Sequence, residues 1–81
     1  PFNPSTTLSY DLPNYSMVKI EIYDVLGNLV RTLLNSNQTP GYKTIDWNAI
    51  NDHGQHVSAG IYLFTIEADN FRETQKMILL K

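Results

Sequence analysis

The chain has no cysteine, so it holds no disulfide, thiolate metal site or thiol nucleophile. No apolar run approaches the roughly 20 residues needed to cross a bilayer as a helix. Charge is sparse and mixed, six basic against eight acidic residues for a net of −2, so nothing would gather a phosphate backbone and nucleic acid is not an expected partner. No segment repeats an apolar residue every 3.6 positions without interruption. The nearest candidate, Asp24 to Leu34, is broken by Gly27-Asn28. What remains is an 81-residue chain, 42% hydrophobic, close to the smallest size at which one core suffices and too apolar for disorder.

Period-2 alternation fills the space the absences leave. Val18, Ile20 and Ile22 alternate with Lys19, Glu21 and Tyr23, the pattern of a sheet with one face in the core. The expected strands are 6–10, 17–23, 29–34, 42–47, 61–68 and 71–80, with a very short one near Val57. Pro1 to Pro4 is an extended lead-in, and Asp11-Leu12-Pro13-Asn14 is expected to stop the first strand. Asp24 to Asn28 reads as a hairpin turn in which the Asp24 carboxylate bonds to backbone two residues on and Gly27 supplies positive φ. Asn35 to Gly41 reads as a polar loop closing on a Pro40-Gly41 type II turn, and Asp69-Asn70 as a two-residue turn.

The organising stretch is Asp46 to Ile66, where a strand ends on Trp47, crosses a polar loop and re-enters the sheet after Gly60. The expected core and structural residues are Val18, Ile20, Ile22, Gly27, Val30, Ile45, Trp47, Gly60, Tyr62, Phe64 and Ile66, with the Tyr62 hydroxyl reaching backbone as in a tyrosine corner. Ile61–Ile66, apart from Thr65, and Met77–Leu80 are apolar on both faces, as in strands covered on both sides. The fold class is all-β: an immunoglobulin or fibronectin III-like Greek-key β-sandwich of six to seven antiparallel strands, with residues 1–81 as one domain.

Chemistry is thin. His53 and His56, beside Asp52, are the only bases suited to a triad, and a hydrophilic loop gives them no rigid frame, so no catalytic residues are assigned. Zinc would lack a third and fourth ligand. Asp46, Asn48, Asn51 and Asp52 are weak calcium candidates. They lack the roughly 12-residue EF-hand spacing with its closing Glu, and Asn and Asp also serve ordinary turns. No cofactor is expected. Tyr23 and Tyr42 on outward faces keep a sugar platform open against the commoner role of aromatics as packing residues. Asn14-Tyr15-Ser16 and Asn37-Gln38-Thr39 match the glycosylation sequon, relevant only in a eukaryotic secretory host.

Four stretches taken together carry a resemblance: PFNPSTTLSYDLP, VKIEIYDVLGNLVRTL, PGYKTIDWN and GQHVSAGIYLFTIEADNFRETQKMILLK. The chain resembles the Ig-like C-terminal sorting domains of type IX secretion, and is similar to the Ig-like domain of the flagellar hook-capping protein. The matching positions are Asn3, Pro4, Tyr23, Asp24, Gly27, Val30, Trp47, Gly54, Gly60, Tyr62, Lys76 and Lys81, while Ala49 stands where many relatives carry Gly. The resemblance implies a non-catalytic module, the C-terminal domain of a larger exported bacterial protein, reaching the cell surface through periplasm and outer membrane. It implies as partner the secretion machinery or the preceding domain of the same protein, with recognition by Lys76, Met77, Ile78, Leu79, Leu80 and Lys81. The alternative is a passive accessory domain of a secreted enzyme that packs on its neighbour or binds carbohydrate. A monomer is expected.

Overall fold

A computed structural model describes residues 5–69 and 71–80. The expected lead-in at Pro1–Pro4, Asn70 of the last turn and the terminal Lys81 lie outside the described residues. Six strands follow in order: β1 Thr6–Leu12, β2 Ser16–Asp24, β3 Leu29–Gln38, β4 Gly41–Trp47, β5 Gly60–Ala68 and β6 Phe71–Leu79. They make two antiparallel sheets, a four-stranded one in the order β3-β2-β5-β6 and a two-stranded one, β1-β4. Residues 24–34 form a turn and a strand, not a helix.

The core lies where the sheets face each other. Val18, Ile20 and Ile22 of β2 and Tyr62, Phe64 and Ile66 of β5 share one face by register (Ile20 opposite Ile66, Ile22 opposite Phe64), and all six are buried. Leu8, Leu12 and Trp47 close the core from the smaller sheet, and Val30 and Ile45 are half-buried at its margin. Burying a side chain of this size contributes roughly 1.5–3 kcal/mol. Trp47 keeps its indole N–H satisfied by donating to the Ile50 carbonyl at 3.0 Å, and its ring meets Tyr62 edge to face at 5.2 Å.

Two boundaries differ from expectation. β1 runs through Asp11 and Leu12 because Leu12 extends the inward series Leu8, Tyr10, Leu12, and Pro13 ends the strand instead. β3 continues four residues past Leu34 to Gln38, where a loop was expected. Lys19, Val18, Met17 and Ser16 pair with Asn35, Ser36, Asn37 and Gln38 in turn. Those residues look like loop because β3 is an edge strand, and their ladder partner supplies what the side chains do not. Two irregularities in the β2–β3 register, after Ile20 and after Ile22, bend this edge so that both Leu33 and Leu34 reach the core.

Gly41 opens β4 at φ 130°, well beyond the roughly +80° that the expected type II turn needs there, because it already pairs with Leu12 in the sheet, whereas Asp69 (52°) has the left-handed backbone expected of the last hairpin. Near Val57 there is only a bridge, Ile50 to His56, not a strand.

Candidate interaction surface

The loop from Asn48 to Ala59 gathers most of the candidate chemistry and uses it on itself. Asn51 Oδ1 accepts the amides of His53 (2.9 Å) and Gln55 (3.0 Å), closing an Asx-type turn with Gly54 at φ 79°. Asp52 then fastens the loop to the bent edge of β3. Its amide donates to the Val30 carbonyl at 3.0 Å, its carboxylate accepts the Thr32 amide at 3.1 Å, and Arg31 lies 3.9 Å away. The Tyr62 hydroxyl donates to the Ser58 carbonyl at 2.6 Å, tying the loop's exit to the core.

The four calcium candidates do not converge. Asp46 points outward from β4 and accepts the Thr7 hydroxyl at 2.7 Å, while Asn51 and Asp52 are committed to backbone amides. Asn48 is exposed. Among the described residues no three of His, Asp or Glu gather as a metal site would require. His53 and His56 border a shallow groove of about 610 Å³ with Asp24 and Asp52, and both carboxylates there are already bonded to backbone. The two tyrosines of the sugar platform belong to different sheets, Tyr23 to β2 and Tyr42 to β4, so the sandwich separates them.

The hairpin turn behaves as its residues require. Asp24 Oδ1 accepts the amides of Leu26 (3.0 Å) and Asn28 (2.9 Å), and Gly27 adopts φ 88°. The bond from Asn28 leads in holding the Asp24 carboxyl below its ordinary range. On the outer face of the four-stranded sheet the Tyr23 hydroxyl donates to Glu21 at 2.8 Å. That bond, with burial and the Glu21 charge behind it, raises the Tyr23 pKa; burial alone raises Tyr10.

This outer face is divided. At one end Lys19 pairs with Glu21 (3.6 Å) and Arg72 with Glu67 (3.8 Å). At the other, register sets Leu29, Tyr23, Leu63 and Lys76 in one row across the sheet, with Ile61 beside Ile78 in the next. Ile78 is 62% exposed and Leu26, at the adjoining turn, 84%. The residues expected to serve recognition separate accordingly: Lys76 and Ile78 face out, Leu80 is exposed, and Met77 and Leu79 turn toward the core. Val25 and Leu26 were not singled out from the sequence. The available signal was two aliphatics in turn positions, where a soluble hairpin ordinarily carries polar residues.

The fold is an Ig-like β-sandwich whose polar loops satisfy their own backbone and whose outer face ends in exposed apolar side chains. The profile of the FlgD Ig-like domain matches residues 4–71, and the chain belongs to that family. Among solved structures, FlgD from P. aeruginosa superposes with a TM-score of 0.72 at 24% identity over 93% of this chain, a likeness of fold. The chain spans 60% of the length of that structure. No curated protein matches it.

Proposed function

We propose that the chain is a non-catalytic attachment module of an exported bacterial protein, in the manner of a C-terminal sorting domain read by export machinery at the outer membrane. The supporting observation is the apolar end of the outer face, where Lys76 and Ile78 stand beside Ile61. Exposed apolar side chains grouped on one face of a small domain are a contact surface more often than an accident. Residues 1–81 act as one unit in this reading, with the preceding part of the parent protein as cargo.

A reporter fused ahead of the 81 residues, in a host with the secretion system, is expected at the cell surface. Deleting Arg72–Lys81 is expected to leave it in the periplasm, although that deletion also strips β5 of one of its two partner strands. Ile61→Glu with Ile78→Glu is the cleaner variant, since both side chains are exposed and the fold should persist. Surface delivery undiminished in the double variant would end the sorting idea.

Family membership favours a second reading, an assembly module of hook-capping kind, in which the same apolar end meets a further copy or a neighbouring domain. Sedimentation that shows self-association abolished by Ile78→Glu, with reporter delivery absent, would select it.

A further inference from the structure

The edge strand β3 is guarded along one half and open along the other. In the first half the register with β2 skips Leu33 and Val30, and the loop lies against the strand. There the Asp52 amide donates to the Val30 carbonyl and the Asp52 carboxylate accepts the Thr32 amide. Bulges and covering loops are among the devices that keep an edge from pairing with another chain. From Leu34 to Gln38 neither is found: these residues pair with Ile20 to Ser16 in unbroken register. Charge and proline, two further guards, are absent from Thr32 through Thr39. The connection that follows cannot supply a covering strand, because β3 ends at Gln38 and β4 begins at Gly41.

The bonds to Asp52 also fix which backbone groups face out. Thr32 lies opposite Glu21 and sends its amide away from β2. Successive residues of a strand turn their amide and carbonyl to alternate sides, so Glu21, Lys19 and Met17 behave alike. Asn35 and Asn37, opposite Lys19 and Met17, therefore point their amides and carbonyls outward as Thr32 does. Among the described residues β3 pairs with β2 alone, and these groups have no strand partner.

From this geometry we infer that two copies of the chain pair through β3, edge to edge and antiparallel, so that their four-stranded sheets become one. The two-fold axis passes by Ser36, and Asn35 of each copy exchanges amide and carbonyl with Asn37 of the other. Moving the axis to Asn35 would set Gln38 against Thr32, whose amide Asp52 already holds. Moving it to Asn37 would set Asn35 against Thr39, beyond the end of β3. A second copy suits this edge better than a flexible peptide. Ordering a free segment costs backbone entropy at every residue, which so short a ladder barely offsets, whereas β3 of a second copy is already in place. Like edges without charge meet without repulsion, and the Asn35 and Asn37 side chains fall on one face, where their amides bond across the pair. The monomer expected from the sequence is then the dilute form. This edge is separate from the apolar end of the outer face and stands without that reading.

Sedimentation equilibrium of the 81-residue chain is expected to show monomer and dimer in exchange below millimolar concentration. Amide exchange at Asn35 and Asn37 should slow as concentration rises. Asn37→Pro removes an outward amide that the fold does not use, a place where an edge strand tolerates proline. It is expected to weaken the dimer at least about tenfold, a gap of about 1.4 kcal/mol, with the melting temperature nearly unchanged. A charge swap separates loss of the contact from loss of the fold. Asn35→Lys with Asn37→Lys, and Asn35→Asp with Asn37→Asp, should each give monomers, and the mixture of the two should associate. A chain that stays monomeric at millimolar concentration would overturn the inference. So would self-association that Ile78→Glu abolishes and Asn37→Pro does not, or concentration-dependent protection along residues 6–12 in place of Asn35 and Asn37.

Discussion

The two strands of the last hairpin are close in length and lie in one register, yet they live in different surroundings. Along their shared inner face β5 offers Tyr62, Phe64 and Ile66, all buried, while β6 offers Met77, Gln75 and Glu73, of which only Met77 reaches the core. Gln75 bonds to Glu73, two polar groups satisfying one another where the facing sheet has already stopped. Burial is thus decided by what lies across the sandwich and not by membership of the sheet.

The largest effects should fall on the β5 side. Phe64→Ala is expected to cost roughly 3–5 kcal/mol, near the whole stability of a domain of this size, and Gln75→Ala opposite it less than about 0.5 kcal/mol. Urea titration of the two variants would measure the contrast, and comparable losses would mean that the β6 inner face is covered after all. Tyr62→Phe removes one hydrogen bond and no packing, so about 1 kcal/mol is expected by the same titration.

Protonation probes the outer face at Tyr23, the core margin at Tyr10 and the hairpin turn at Asp24. Tyr23 and Tyr10 have raised pKa values in the folded chain, so their contribution is complete below the ordinary tyrosine value of about 10 and is lost as pH rises through the folded values. Asp24 is shifted down, so its contribution holds above about 4 and disappears as pH falls through its lowered value. Thermal melts should decline at both ends, and Asp24→Asn should flatten the acid limb alone.

At Ala49 opposing terms nearly cancel. The residue is buried with φ 63°, a conformation that suits glycine. Ala49→Gly relieves roughly 1–2 kcal/mol of backbone strain but forfeits a buried methyl worth about 0.8 kcal/mol and adds roughly 0.5–1 kcal/mol of unfolded-state entropy. A net change within about 1 kcal/mol should follow in calorimetry.

Much of this was legible in the residues. Alternation marked β2, and Asp24 and Gly27 marked its turn, because each depends on neighbours in sequence. Trp47 and Tyr62 could be assigned to the core from size and position. The extension of β3 through Asn35–Gln38 was hidden because polar residues on an edge are held by a partner strand and not by their own preference. The separation of Tyr23 from Tyr42 was hidden because face parity within a strand does not say which sheet the strand joins. The exposure of the inner face of β6 was hidden for a related reason: Phe71, Glu73 and Gln75 alternate with Arg72 and Thr74 with no clear apolar face to assign.

The pairing of β1 with β4 has a consequence in time. The link from Thr7 to Asp46 spans 39 residues, whereas β2–β3 and β5–β6 are joined by short turns. Chain ends so far apart meet slowly, because the entropy of closing the intervening loop is lost before any contact repays it. The smaller sheet is therefore expected to assemble last and to come apart first. Stopped-flow kinetics of Leu8→Ala should show faster unfolding with a folding rate nearly unaltered, and a slowed folding arm would place β1 in the nucleus instead.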